Sequence, residues 1–246
     1  MKAIKNLTFL TLLFSLTVSC NGQDKKNIIK PKDLEEGITF FQQTWTKKQL
    51  EEFRLKDEGK ALADVHFAAA MWVRNEWVRG DRNKEFTKYF NDLGIYAPDD
   101  ISSILFTSLH RRLNGKDIEL SKQVDGYKKY WDTINNCETK QKDKAVAYYN
   151  KHKIADTINI CMPVDTSSDN RNAVIYSCPT TDWTFNNSVD LKFSALILDK
   201  YNINSETNVF FKVKIIKMNF PKTQILMKTV TEGSEIDLNL KGLKIE

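Results

Sequence analysis

The sequence predicts an α+β protein, with an all-helical N-terminal domain followed by a small antiparallel β-sandwich or open barrel. Two observations predict this class. Between about residues 33 and 151 apolar side chains recur at the spacing of amphipathic helices, and beyond about residue 155 they alternate as in half-buried strands. A run of helices followed by a run of strands is typical of α+β proteins, not of alternating α/β folds.

The first nineteen residues have the pattern of a secretory signal peptide. Lys2 and Lys5 form a short positive region, and the twelve residues "LTFLTLLFSLTV" form an apolar run. That run fits the roughly 7–15 residues of a signal-peptide core. It is shorter than the roughly 20 residues that a membrane-spanning helix needs. We therefore expect residues 1–19 to be removed.

The residues around Cys20 resemble the lipobox of bacterial lipoproteins. Cys20 follows the small residue Ser19 directly behind the apolar run, although Thr17 stands where a lipobox usually has leucine. The resemblance implies lipidation of Cys20 and hence a membrane partner, because two or more acyl chains anchor a protein stably. It also implies the cell envelope, at a periplasmic or surface face, and Asn21 favours the outer membrane. The alternatives are ordinary cleavage near Gly22–Gln23 and a retained anchor helix.

Residues 20–32 are polar and lysine-rich and predict a tether, after which helix signals begin. Asp33 with Glu36, and Thr46 with Gln49, have the spacing of an N-cap and its capping-box partner. Glycines follow three of the expected helices, at Gly80, Gly94 and Gly115. The helical domain over 33–151 is expected to contain helices near 34–43, 47–57, 62–79, 83–93, 100–114 and 121–135, and a weaker one near 138–151.

The rest of the chain predicts a β domain over 155–246. Segments rich in β-branched and aromatic residues lie between stretches of Asn, Asp, Ser and Thr, which favour turns. These segments are "DTINICM", "NAVIYSC", "SVDLKFSALILDK", "TNVFFKVKIIKM", "TQILMKTV" and "IDLNLKGLKI".

The charge of the chain argues against nucleic acid as a partner. The formal net charge of +5 falls to +3 when the two leader lysines are removed. Basic and acidic residues alternate along most stretches, as in "KQKDK" and "LKDEGK". Proteins that bind nucleic acid present a basic stripe instead.

The stretch "DVHFAAAMWVRNEWVRGD" carries the first candidate site residues. On a continuous helix, at about 100° per residue, His66 would share a stripe with Ala70, Val73 and Trp77. One interpretation is a buried helix packed through its alanines, with His66 as a core or interfacial histidine. The other places His66 and Arg74 at the edge of a groove, as base and anion clamp, which requires a third group to orient the ring.

The stretch "PDDISSILFTSLHRRLNGK" carries the second set. Asp99 and Asp100 open a helix, where carboxylates accept free N–H groups and face the positive end of the helix dipole. The basic residues 110–112 lie in the last turns, where cations are favoured, so capping explains this pattern. The alternative is that one of the two carboxylates meets His66 or Arg74 in space.

Together these stretches resemble a bacterial domain family of unknown function, over about residues 34–131. The resemblance lies in the arrangement His-x₇-Arg-Asn, followed by "PDDISSI" and "HRRLNGK". It implies a helical domain and carries over no activity. It marks candidate binding residues and weak catalytic candidates; the first are Arg74, Asn75, Ser102 and Arg111, and the second are His66, Asp99 and Asp100.

Three cysteines remain after Cys20. If "SSDNRN" forms the tip of a hairpin, Cys161 and Cys178 would be directly opposed across it, where β-carbons lie about 4.5–5.5 Å apart. Envelope compartments favour disulfides. We therefore expect a Cys161–Cys178 disulfide, with two buried thiols as the alternative, and Cys137 as a buried free thiol.

The sequence contains no recognisable metal or cofactor motif, and we expect neither. Its histidines, His66, His110 and His152, are never three to five residues from another histidine or a cysteine. Zinc, phosphate-loop and nucleophile-elbow motifs are absent from it. The aromatic residues Trp183 and Phe185 are expected in the core and not in a sugar-binding platform.

These observations favour a non-catalytic binding or interaction module at the membrane, with an envelope protein or a small anionic ligand as partner. The first alternative is an envelope hydrolase that uses the polar set above (His66, Arg74 and either of Asp99 and Asp100). The second is a periplasmic immunity or inhibitor protein, which predicts an exposed patch with aromatic anchors.

Overall fold

The computed structural model describes residues 30–165 and 171–246. Helices in the first half and mostly antiparallel strands in the second confirm the α+β class, without a closed barrel among the described strands. The predicted signal peptide, Cys20 and most of the predicted tether lie outside the described residues. None of the described helices combines the length and the apolar character that crossing a membrane requires.

The chain divides into two compact units. The N-terminal unit contains the described residues up to Asp92 together with Tyr96–Lys116, and the C-terminal unit contains Leu93–Ile95 and Asp117–Glu246. This division into compact units does not test where one domain ends and the next begins. The domain limits of 33–151 and 155–246 therefore stay a prediction.

The N-terminal unit is helical, and its first two helices begin where their caps predict. The Asp33 side chain accepts a hydrogen bond from the Glu36 N–H at 2.9 Å, and Thr46 and Gln49 form a complete capping box. The α-helices are α1 (Leu34–Thr44), α2 (Lys47–Arg54), α3 (Glu58–His66), α4 (Ala69–Val73), α5 (Lys84–Asp92) and α6 (Pro98–Leu113). A π-helical turn (Arg74–Val78) and a 3₁₀ turn (Arg79–Asp81) follow α4.

Aromatic side chains form the core of this unit. The ring of Phe106, on α6, lies 4.8 Å from that of Phe41 on α1 and 6.3 Å from that of Phe53 on α2, measured between centroids. Trp77 and Phe86 are buried and contact each other edge to face. Such pairs contribute about 0.5–1.5 kcal/mol each beyond the area that they bury.

The single helix predicted over 62–79 is wrong, because the chain breaks after His66. Ala68 has φ −119° and ψ −102°, and helical structure resumes only at Ala69. Alanine favours helix, so local propensity does not cause the break. The break leaves the His66 carbonyl outside the helical ladder, and the guanidinium of Arg74 donates to it at 3.0 Å.

In the C-terminal unit, one helix replaces the two that were predicted. α7 (Leu120–Lys151) is continuous over 32 residues. Its Ala145, Tyr148 and Tyr149 pack against the hydrophobic core of the strands. Lys200 donates from Nζ to the carbonyls of Tyr149 and His152 and so satisfies the C-terminal end of the helix.

The described strands form two sheets. The larger has the order β8-β5-β4-β1-β9 and is antiparallel throughout; the smaller has the order β2-β3-β6-β7 and contains one parallel pair, β3 with β6. In β4, alternate residues from Leu191 to Ile197 are buried, as the predicted alternation requires. The strands are β1 (Thr157–Met162), β2 (Val164–Asp165), β3 (Asn172–Ala173), β4 (Leu191–Asn202), β5 (Val209–Met218), β6 (Thr223–Ile225), β7 (Lys228–Val230), β8 (Glu235–Asn239) and β9 (Lys244–Ile245).

The predicted Cys161–Cys178 disulfide is wrong, and so is the free Cys137. Cys137 of α7 is bonded to Cys178, with Cα atoms 5.8 Å apart, and Cys161 is the buried free thiol. The hairpin that was expected to oppose the pair ends too early. Its described ladder stops at Val164–Ala173, so the chain has left the sheet before it reaches Cys178.

Candidate functional site

Arg74 is the centre of a buried polar cluster in the N-terminal unit. The π-helical turn places its guanidinium beneath α6, where the side chain is only 6% exposed. Nη1 donates to Ser102 Oγ at 3.2 Å, and Nη2 donates to the His66 carbonyl at 3.0 Å. Nε lies 3.2 Å from Asp99 Oδ1, and the Asp99 side chain is 55% exposed. The cluster therefore connects α3, the π-helical turn and the first turn of α6.

Four predicted site residues thus meet, but not as the hydrolase interpretation requires. Arg74 contacts the backbone of His66 and not its ring. The His66 ring packs edge to face on Phe67 and, within the described part of the chain, makes no hydrogen bond or ion pair with a carboxylate. Asp100, on the first turn of α6, is half-buried and takes part in another interaction. Among the described residues, the His66 ring is therefore not paired with an orienting acid.

The other two predicted residues lie elsewhere in the unit. Asn75 is exposed and accepts a hydrogen bond from Arg79 at 3.0 Å. Arg111 donates from Nε and Nη2 to the two carboxylate oxygens of Glu58, at 3.0 and 3.2 Å. The bidentate pair links α6 to the start of α3, so Arg111 contributes to the packing of these two helices.

A buried histidine lies beside this pair. His110 donates from Nε2 to the Lys56 carbonyl at 2.9 Å, and its Nδ1 lies 3.8 Å from Glu58 Oε2. Its ring is buried and packs edge to face on Phe53. The position of His110 in the last turns of α6 predicts a helix-capping cation, whereas the structure makes it a core residue.

The C-terminal unit contains an open cleft of about 900 Å³, which we call the α7 cleft. One wall is a stripe on the middle turns of α7, and the other is formed by segments 179–184 and 240–244. The stripe follows the helical spacing of three or four residues and consists of Thr133, Asn136, Cys137, Lys140, Gln141 and Lys144.

The Cys137–Cys178 disulfide ties the two walls of the α7 cleft together. Cys137 belongs to the lining, and Cys178 directly precedes Pro179, the first lining residue of the opposite wall. The covalent bond therefore fixes the position of segment 179–184 against α7. The cleft is therefore part of the folded C-terminal unit.

The described lining of the α7 cleft is polar and carries positive charge. Three lysines face one carboxylate, that of Asp182; the lysines are Lys140, Lys144 and Lys244. Lys244 Nζ lies 5.6 Å from the centroid of the Trp183 ring, and Lys144 Nζ lies 5.6 Å from that of Tyr148. Trp183 is half-buried in the wall and not in the core, so the expectation of a core position for it is wrong.

The α7 cleft is not recognisable in the sequence. The signal was present as polar residues at helical spacing between positions 133 and 144, but the same segment contains Glu138 and Asp143, and its charges alternate. The partners of the stripe come from segments about 40 and 100 residues further along the chain. No local pattern connects them. Among the described residues, no group of three or more histidine, cysteine and acidic side chains is arranged to hold a metal ion.

Comparison with known proteins identifies one domain. A domain of unknown function (DUF6794) covers residues 30–113 of the 246. No curated protein and no solved structure matches the chain. The resemblance drawn from the motifs extends to residue 131, whereas the match ends at Leu113, the last residue of α6. The helices up to α6 are thus similar to a domain family without an assigned activity, and the α7 cleft lies beyond the matched residues.

Proposed function

We propose that this is a lipid-anchored envelope protein that binds a ligand non-covalently in the α7 cleft. The observation that carries the proposal is the cleft itself. Its volume of about 900 Å³ lies in the upper part of the roughly 300–1,000 Å³ that is usual for ligand sites. Its walls are joined by a disulfide, so the site exists before a ligand arrives.

Two features support the envelope as the location. The sequence around Cys20 resembles a lipobox behind a signal peptide. The Cys137–Cys178 disulfide is the kind of bond that persists in oxidising compartments and is rare in the cytosol. The polar residues that follow Cys20 would hold the folded units close to the membrane surface.

Binding is proposed, and not a reaction, because of the groups that meet in the cleft. They are ammonium, amide, hydroxyl and indole groups with a single carboxylate, that of Asp182, and such groups hold and orient ligands. The cysteine of the lining is bonded to Cys178 and is not a nucleophile. In the N-terminal unit, the Arg74 guanidinium that the hydrolase alternative needs is directed at Ser102, Asp99 and the His66 carbonyl.

Binding in the cleft can be tested by filling it. We would screen a library of polar fragments by ligand-observed NMR against the full-length protein in detergent. Asn136→Trp places an indole in the cleft, whereas Asn135→Trp puts the same side chain at the neighbouring exposed position outside the lining. We expect fragments to bind the wild type and Asn135→Trp and to lose binding to Asn136→Trp. Equal binding to all three proteins would exclude the α7 cleft as the site.

The anchor can be tested separately, by metabolic labelling with radioactive palmitate in a bacterial host. Label is expected in the wild-type protein and not in Cys20→Ser. Label retained in Cys20→Ser, or absent from both proteins, would contradict lipidation at Cys20.

The exposed side chains beside the chain break favour the immunity or inhibitor protein as a second candidate. Phe67 is 78% exposed, Met71 42% and Trp72 37%. Aromatic side chains of this kind act as anchors in protein interfaces. A photo-reactive phenylalanine analogue at position 67 would then cross-link one defined envelope protein, and the same analogue at the equally exposed Tyr96 would not. Identical products from both positions would remove this candidate.

A further inference from the structure

We infer that the ligand of the α7 cleft is an acidic saccharide, a chain of sugar rings that carries carboxylate, sulfate or phosphate groups. The inference rests on the proposed binding function of the cleft and adds the chemical class of its ligand. Charge, the position of the cleft along α7, and the hydrogen-bonding groups of the lining each support it.

The charge of the lining lysines is only partly compensated by the described carboxylates. Within the described residues, none of Lys140, Lys144 and Lys244 forms an ion pair with a carboxylate. The lysines just outside the lining behave differently: Lys142 Nζ lies 3.9 Å and Lys241 Nζ 3.2 Å from the carboxylate of Glu138. Lys244 instead interacts electrostatically with the carboxylate of Glu246. The positive charge of Lys140 and Lys144 is therefore left without a paired carboxylate where the cleft is open. A ligand that bears several negative charges would complement it.

The position of the cleft on α7 favours a ligand larger than a simple anion. Proteins commonly bind phosphate at a helix N-terminus, where free N–H groups converge. The α7 cleft instead lies beside residues 133–144, in the middle of a helix that begins at Leu120, where the N–H groups are engaged in the helix. Negative groups must then be held by lysine side chains that are spread along the wall. An extended chain with charges at intervals fits this arrangement.

The remaining lining groups suit hydroxyl-rich rings. Thr133, Asn136 and Gln141 on α7, and Thr181 and Thr184 opposite, offer both donors and acceptors. Asp182 would oppose a purely anionic ligand, but its carboxylate can accept hydrogen bonds from sugar hydroxyls. Trp183 supplies an apolar surface for the C–H face of a ring.

A glycan array tests the class of ligand. Full-length protein in mild detergent is applied to an array that carries uronate-containing, sialylated, sulfated, phosphorylated and neutral oligosaccharides. We expect binding only to acidic members, and weaker binding as salt is raised. Competition by the same free oligosaccharide would show that the sugar itself, and not a linker or lipid portion, is bound.

Matched variants locate the binding. Lys140→Ala and Lys144→Ala each remove one charge of the lining and are expected to weaken binding about tenfold, as the loss of one charge-assisted contact does. Lys142→Ala removes the same charge from the same helix outside the lining and is expected to bind like the wild type. These three lysines all lie on α7 and are exposed, so we expect each variant to fold.

The outcomes separate this inference from the proposed function. Binding to neutral glycans as strongly as to acidic ones, or to none, would overturn the acidic saccharide. So would equal weakening by Lys142→Ala, which would indicate attraction by net charge alone. If fragments are nevertheless lost from Asn136→Trp, the α7 cleft remains a binding site for another class of ligand. If Asn136→Trp loses no fragment binding and no acidic glycan binds, both proposals fail.

Discussion

At the scale of single residues, the Ser102 hydroxyl holds two parts of the Arg74 cluster together. It accepts a hydrogen bond from Arg74 Nη1 and donates one to the Asp99 carbonyl, and it is buried. In Ser102→Ala a buried guanidinium N–H loses its acceptor, which costs about 1–3 kcal/mol. We expect the free energy of unfolding to fall by that amount in urea denaturation. Ser103→Ala, one residue further and half-buried, is the control, and equal effects of both changes would contradict the role of Ser102.

His152 gives the C-terminal unit a dependence on pH. Burial, with Lys151 and Lys200 nearby, lowers the pKa of His152 below its ordinary value, and the carboxylate of Asp156 opposes this only in part. Because the unfolded chain binds the proton more readily, stability is fully present above the unfolded pKa of about 6.5 and is lost as the pH falls through the folded pKa.

The test is the difference in stability between pH 7.5 and pH 5.5. We expect urea midpoints of the wild type to fall over this interval and those of His152→Gln to fall less. The variant also loses the edge-to-face contact with Phe211, so only the pH difference is compared. An unchanged pH difference would assign the effect to other groups.

At the scale of elements, α7 contains a glycine in its interior that no contact requires. A β-carbon at Gly126 would meet nothing within 4 Å, and the residue is exposed. Glycine within a helix costs roughly 0.5–1 kcal/mol relative to alanine. Gly126→Ala is therefore expected to raise the free energy of unfolding by about that amount.

A second glycine provides a control for which the opposite change in stability is expected. Gly94 has φ +82°, and a β-carbon there would lie 2.6 Å from Lys128 Cε. Gly94→Ala should lower the free energy of unfolding, because the left-handed conformation is unfavourable for alanine. If both substitutions changed the urea midpoint in the same direction, the account of α7 would be wrong.

The sequence predicts those elements whose limits depend on neighbouring residues. The start of α2 follows from Thr46 and Gln49, and the stop after α6 follows from Gly115, which has φ +65°. The break at Ala68 is not predictable in this way. The Arg74 guanidinium, which donates a hydrogen bond to the His66 carbonyl at the break, comes from the next turns of the chain. Likewise "TQILMKTV" looks like one strand, yet Leu226 and Met227 both have positive φ and divide it into the hairpin β6–β7.

The candidate site was less predictable than the fold. The sequence motifs indicate Arg74, Ser102 and Asp99, which do meet, but their polar groups make internal contacts. The α7 cleft depends on the Cys137–Cys178 bond, and the pairing of three cysteines cannot be chosen by spacing when a hairpin is shorter than its sequence suggests. Long-range pairing therefore limits the prediction of function more strongly than it limits the prediction of helices and strands.

At the scale of the whole molecule, the states of the four cysteines bear on both the proposed lipid anchor and the fold. The number of free thiols reports these states. Cys137 and Cys178 are bonded, and Cys161 is buried and free. Burial raises the pKa of the Cys161 thiol, which lowers its reactivity further. If Cys20 carries a thioether-linked lipid, we expect no reactive thiol in the native protein and one after unfolding without reductant.

The measurement is titration with Ellman's reagent before and after denaturation in guanidinium chloride. Cys161→Ser should lower the count in the unfolded protein from one to zero, and Cys20→Ser should leave it at one, because the lipidated cysteine has no thiol to lose. A count of two in the unfolded wild type, falling to one in Cys20→Ser, would show that Cys20 is unmodified and would remove the lipid anchor from the proposal. A count of three would show that Cys137 and Cys178 are reduced in the isolated protein, and the wall of the α7 cleft would then lack its covalent tie.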